Sequence, residues 1–287
     1  MRALRPITVL LSALAGCRAD DELVAGVEAA CGGEGEAVVM VVDNLVFGRR
    51  EGDIASGFDL DGRVSDTSDS LGCFKEDLTS PEGVLGIDSA FSNLVPALEA
   101  TEAAAIEGLV YDAIRSGELL VTLELLDVDP EAMASGDSCV DLNIGQALGP
   151  AVLGADGNIE SWWTWERDPE IPITSARASM AGGRIDAGPL ELSVPLQVLD
   201  ASVNLPLHAA WARVDVADDG TSVGYLAGGV KVQDIADLAL SVGTNVGELI
   251  VSLVSAAADL QPDELGACQE LSIVLEFTAT PAFLFDE

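Results

Sequence analysis

The patterning of this chain predicts an α+β fold: a mostly antiparallel, sandwich-like β-sheet with two or three packed helices. Three observations carry the prediction. Apolar and polar residues alternate over long stretches, most clearly across 189–227. Helical periodicity comes in separate blocks, not between every pair of strands, which argues against regular β–α–β alternation. Finally, 49% of the 287 residues are apolar, which is enough for a core and too many for wholesale disorder.

Taken in order, Leu23, Val27, Ala30 and Cys31 fall at i, i+4, i+7 and i+8 and predict a helix over 18–31, with Asp20 and Asp21 at its start. Ala37 to Phe47 (AVVMVVDNLVF) is an apolar, β-branched run that suits a strand buried on both faces. Residues 48–90 are rich in Asp, Ser and Gly. A segment well beyond ~15 residues exceeds a plain connection, so it is expected to be functional or pinned. Phe91, Leu94, Val95 and Leu98 open a helical region interrupted by Pro96. Ile106, Leu109, Val110, Ala113 and Ile114 form a helical stripe closed by Gly117. Leu119, Val121, Leu123 and Leu125 then alternate as a half-buried strand.

Two strands follow, with Leu190, Leu192, Val194, Leu196 and Val198 on one face, then Ala201, Val203, Leu205, Leu207 and Ala209. Pro195 and Pro206 each remove a ladder donor, so both strands are expected at edges or bulges. Asp219-Gly220 marks a hairpin between 213–216 and 223–227. Ile235, Leu238, Val242, Val246, Leu249, Ile250, Leu253, Val254 and Ala257 share a helical face. Gly243 splits it and Thr244 is placed to cap the second half. The last strand is Leu271 to Phe285. No linker divides the chain after its first residues, so 1–16 is expected as a leader, 17–35 as a tether with its helix, and 36–287 as one domain.

The charge narrows function. With 49 acidic against 13 basic residues the net charge is −36. Nucleic-acid binding needs the reverse, because Lys and Arg must replace the counterions on phosphate. A single histidine, His208, removes chemistry that depends on several imidazoles.

Arg2 and Arg5 precede a short apolar stretch, Ile7 to Leu14, which suits an export signal and is too short to span a bilayer. It ends in Leu14-Ala15-Gly16-Cys17, and here the chain resembles the bacterial lipoproteins. That resemblance implies a diacylglyceryl group on Cys17 and cleavage before it, leaving a protein held on a membrane of the cell envelope. Arg18, where Asp would favour retention in the inner membrane, points to the outer membrane. The stretches GFDLDGRVSD and GIDSAFSNL, with the lipobox and the acidity, look like acidic lipoproteins of myxobacterial type, a resemblance that implies no activity. Four further cysteines, Cys31, Cys73, Cys139 and Cys268, predict two disulfides in an exported protein. Cys31–Cys268 and Cys73–Cys139 is the expected pairing, since Cys31 closes a helix and Cys268 precedes the last strand.

Catalytic patterns are incomplete. Gly136-Asp137-Ser138 resembles the opening of the GDSL hydrolase motif, but no Asp stands three residues before His208. There is no Gly-x-Ser-x-Gly elbow, zinc-binding His-Glu-x-x-His or phosphate-binding Gly-rich loop. The acidic run over 57–69 offers Asp59, Asp61, Ser65, Asp66 and Asp69 as candidate ligands of a structural calcium, because calcium takes ~6–8 oxygens from a tight turn. Gly57 and Ser68 stand where an EF-hand needs its first Asp and its last Glu, and a solvated Asx-turn loop is the alternative. Trp162, Trp163 and Trp165 are three of four tryptophans; Trp163 and Trp165 are expected on one face of a strand, in the core or binding a membrane or glycan.

The expected function is therefore a non-catalytic, membrane-anchored envelope lipoprotein with no cofactor beyond that calcium. Its partners would be the membrane through Cys17 and an envelope protein, glycan or lipid. One alternative is a carrier of a lipid or other apolar ligand. Another is a carboxylate-based hydrolase of envelope polysaccharide, for which 49 acidic residues single out no pair.

Overall fold

The computed structural model describes residues 35–100, 105–128, 136–198, 201–241 and 245–285. Cys17, the expected helix over 18–31 and Thr244 lie outside them. The strands are β1 (Glu36–Phe47), the short β2 (Arg50–Glu51), β3 (Ile54–Ala55), β4 (Leu78–Thr79) and β5 (Leu85–Ile87), then β6 (Val121–Val128), β7 (Asp137–Leu148), β8 (Trp163–Arg167), β9 (Thr174–Ala181), β10 (Arg184–Val198), β11 (Ala201–Val216), β12 (Ser222–Lys231), β13 (Leu260–Pro262) and β14 (Cys268–Phe285). A 3₁₀ turn at Ala90–Asn93 leads to the helices α1 (Val95–Glu99), α2 (Ala105–Ser116), α3 (Val232–Ser241) and α4 (Asn245–Ala257).

Eight strands close into an antiparallel barrel in the order β1, β6, β7, β9, β10, β11, β12, β14 and back to β1. The mostly antiparallel β-rich class is as expected, but the sandwich is not. Closure is the reason. Last strand meets first, with Met40 opposite Pro281 and Phe47 opposite Leu275, so there are no two separate sheets to stack. A ring also removes the free strand edges that an open sheet leaves to be managed.

Register and burial fix the faces. Ile185, Ala187, Ala212 and Val214 are fully buried and pair across β10 and β11, while their neighbours Arg184, Asp186, Arg213 and Asp215 form ion pairs on the outside. Leu123, Leu142, Leu207 and Leu271 are likewise at most 1% exposed. Each such side chain contributes ~1.5–3 kcal/mol by leaving water. A barrel that crosses a bilayer needs an apolar outward band, whereas charged pairs stud this outer wall. Among the described residues no helix is long and apolar enough to cross a membrane.

The prolines fall where expected. Pro195 lies opposite Asn204 and Pro206 opposite Ser193. β9 reaches β10 only over 184–187 and β12 reaches β11 only from His208 onward, so this end of the hairpin projects past its neighbours and the missing donors cost no ladder bond. The glycine after α2, Gly117, takes a φ of +87° within 2.3 Å of the Gly149 carbonyl from where a Cβ would stand, and only glycine fits.

The polar segment 48–90 lies outside the ring. Its strands β2–β5 form a four-stranded sheet with a separate core of only Ala55, Leu78 and Ile87. It docks on the outer face of β11 and β12 through Phe58, whose ring lies 5.7 Å from Trp211 and 5.2 Å from Tyr225. The Arg213 guanidinium sits over both the Phe58 and Tyr225 rings while pairing with Asp186. A disulfide joins Cys73 to Cys268, with Cα atoms 5.9 Å apart. This corrects the expected pairing. Cys73 is held against the start of β14, as the Lys75 ammonium bonding to the Ala256 carbonyl also shows, whereas Cys139 sits near the opposite end of the barrel in β7 and is itself disulfide-bonded.

Candidate functional site

The barrel has two unlike ends. At one, β1 begins, β6 stops, and the β9–β10 and β11–β12 hairpins turn. At the other, β6 and β9 begin and β7 stops. A cavity of about 210 Å³ lies at this second end. Its wall is inward-facing: Val42 and Leu45 of β1, Leu123 of β6, Ile144 of β7, Leu226 of β12 and Phe277 of β14. Ile171 and Pro172, on the loop entering β9, complete it, and Gln146, Thr174 and Ser193 supply its few polar atoms. The shape follows from the sequence, because period-two strands put every second side chain into the lumen. An eight-stranded barrel is just wide enough to be filled by those side chains or to hold one small ligand.

Helix α2 partly covers the same end. It packs on β1 and β10, which stand opposite each other in the ring, so it lies across the opening. Val110, Ala113 and Ile114 face inward, and Tyr111 is exposed. Glu107 fastens it by accepting the Phe47 N–H at 2.8 Å and pairing with Arg49.

A second feature lies in the 48–90 segment. Carboxylate oxygens of Asp59, Asp61 and Asp88 come within 4.8 Å of one another, close enough for one cation to be shared. The structure thus unites two of the five expected ligands and adds Asp88. It sends the other three elsewhere. Ser65 is buried and its backbone N–H donates to Asp77; Asp66 accepts from Ser68 and Asp69 from Leu71, each in its own Asx-type turn. Asp88 was missed because it sits after β5, remote in sequence from the 57–69 run. It accepts the Leu60 N–H at 2.7 Å, which draws it to the loop.

Burial pushes the Asp88 carboxyl up to about 8, helped by the charges of Asp259 and Asp61. Burial likewise raises Asp259 to about 7, against two hydrogen bonds from Ser272, and Asp77 to about 6. These groups hold protons that ordinary carboxyls have lost.

The other expected residues separate. Ser138 lies near the start of β7 and His208 in β11, at opposite ends of the barrel and two strands removed from being neighbours in the ring. The His208 Nδ1 meets Glu191 at 2.8 Å, and Glu191 also accepts the Ala209 N–H, fixing a bulge on the outer wall. The three tryptophans divide as well. Trp163 and Trp165 stand two apart on one face of β8, but only Trp165 is buried against the wall, whereas Trp163 is exposed, as is Trp162. The strand β8 is a short outer-layer piece bridging β7 and β14, held by Arg167 in a two-pronged pair with Glu124 of β6, so its first residues run clear of the core.

No family model matches this chain, nor does any curated protein or solved structure.

Proposed function

We propose that this protein is a lipid-anchored envelope carrier that holds a small apolar molecule in its barrel and performs no catalysis. The cavity at the end of the closed barrel carries this reading, because six apolar wall residues enclose it and few polar atoms interrupt them. Ligand sites combine an apolar lining with a small number of orienting polar groups, and Gln146, Thr174 and Ser193 suit that role. The size sets the class. An apolar cavity of ~150 Å³ already accepts benzene, so about 210 Å³ fits a small ring or the end of one acyl chain, not a whole phospholipid.

The anchor at Cys17 supplies the location in this proposal, and the calcium at Asp59, Asp61 and Asp88 would supply rigidity to the 48–90 segment. The test is native mass spectrometry of full chain purified from membranes. A small apolar adduct near one per chain is expected. Ile144→Trp, which fills the cavity, should abolish it while the circular dichroism stays that of the parent. A parent protein of clean apo mass, after mild extraction, removes the carrier reading.

A further inference from the structure

Three large aromatic side chains are exposed together where the C-terminus of β14 meets β8: Trp162 is 56% exposed, Phe283 50% and Phe285 44%. The parallel register puts Phe283 opposite Thr164 and Phe285 opposite Glu166, so both phenylalanines share one face of the pair, whereas Trp163 lies on the other face with Ala282. The Trp162 and Phe283 rings lie 5.7 Å apart, tilted at 42° to each other while both meet solvent. Trp162 also holds a φ of +62°, a left-handed conformation that costs a bulky side chain of order 1–2 kcal/mol. Left to burial alone, such an indole would turn inward as Trp165 does. Aromatic side chains with a polar edge are at home at a bilayer's interface, where one end is dry and the other wet.

The position of the patch says what covers it. The Trp162 N–H donates to the carbonyl of Pro281, and Pro281 lies opposite Met40 in β1, four residues from where β1 begins. The tip of the β11–β12 hairpin, Gly220, is beside Trp162 and Pro281. Trp162 and its neighbour Phe283 therefore stand beside the end of the barrel from which the chain leads back to Cys17, and Phe285 lies further along β14, opposite Glu166 of β8, which also pairs with Leu148 of β7. Fewer than twenty residues separate Cys17 from Gly35, at most ~60 Å when fully extended.

We infer that Trp162 and Phe283, with Phe285 next to Phe283 on the same face, rest in the interfacial layer of the bilayer that carries the proposed Cys17 anchor. The inference builds on the anchored reading above and adds the orientation of the body. Charge refines the partner. Glu160 and Asp219 are exposed beside the patch and the chain is strongly acidic, so anionic headgroups are repelled and zwitterionic ones are the fitting surface.

Full chain carrying Cys17→Ser tests the surface without the anchor, so the outcome does not depend on lipidation. Mixed with phosphatidylcholine vesicles bearing brominated acyl chains, it is expected to bind weakly and to lose part of its tryptophan emission. Vesicles rich in phosphatidylglycerol should bind it less. Trp162→Ala with Phe283→Ala should lower partitioning roughly tenfold or more, from the apolar area these side chains no longer bury. Both side chains are half exposed, so the barrel tolerates their loss. Leu265→Ala, which truncates the 93% exposed Leu265 at the turn before β14, should change nothing. Absence of partitioning by a monomer overturns the inference, as does an equal loss with Leu265→Ala. So does a dimer in sedimentation that the aromatic double variant splits, which would make a second copy the occupant.

Discussion

The barrel and the 48–90 segment are stabilised by different means. Inside the ring, Met40, Leu142, Ile185, Leu207 and Val230 are all fully buried, and their burial scales with the length of the strands. The outer segment has a separate core of three apolar residues and is held by one disulfide, a set of carboxylate-to-backbone bonds and the Arg213 contact. Hydrophobic burial is indifferent to reductant and nearly so to pH, whereas the devices of the outer segment respond to both. The two regions should therefore come apart under chemistry that touches only one of them.

The largest separation is expected from Cys73→Ser with Cys268→Ser. The bond closes 195 residues of chain, and long loops of this kind are worth ~3–5 kcal/mol in the unfolded-chain account. Hydrogen exchange should show the amides of 53–88 losing protection first while those of β10 and β11 keep theirs. Equal loss in both regions would mean that the segment is part of the barrel's cooperative unit.

Acidity sharpens the contrast. Asp88, Asp259 and Asp77 have folded values above the ordinary carboxyl range, so between about pH 4 and their raised values the native state holds protons that the unfolded chain has lost. Stability is then greatest on the acid side and falls as pH rises towards 8, by up to ~1.4 kcal/mol per pH unit for each of the buried Asp88 and Asp259 and by less for Asp77, where solvent screens the charge. The outer-wall carboxylates behave oppositely. The Ala209 N–H holds Glu191 below its ordinary value, so its contribution is lost as pH falls. Urea unfolding followed at pH 5 and pH 8 checks the sign, and Asp88→Asn should flatten the slope.

The smallest effect is calcium. An ion a few-fold above its dissociation constant adds about 1 kcal/mol to the folded state. Millimolar calcium should raise the melting temperature, and Asp59→Ala with Asp61→Ala should abolish the shift. An unchanged parent would leave Asp59, Asp61 and Asp88 as acceptors of loop backbone N–H groups only.

Much of the ring was legible in the sequence. The alternation in β10, β11, β12 and β14 is a local property of a strand with one wet face, and the Asp219-Gly220 turn fixes one pairing outright. β7 and β9 were hidden, since Asp137–Leu148 and Thr174–Ala181 contain many small and polar residues and pass for loops. Closure was not legible because which strand meets β1 is decided by twist and stagger around the whole ring. The site divided in the same way. Asp59 and Asp61 stand two residues apart and announced themselves, whereas Asp88 joins them through the Phe58–Asp88 bridge and the Leu60 N–H, both set by the fold. The cavity wall draws residues from strands spread over the entire chain, each looking like ordinary core by itself.

The cavity and the start of β1 occupy opposite ends of the barrel. With the anchor proposed at Cys17, a body tethered through β1 would be a cup standing on its base, its rim lifted roughly one strand length above the surface. Cargo would then be taken up or handed on across the aqueous gap, to an acceptor reaching down from the facing side. The membrane that bears the anchor would serve as a mooring and not as the reservoir.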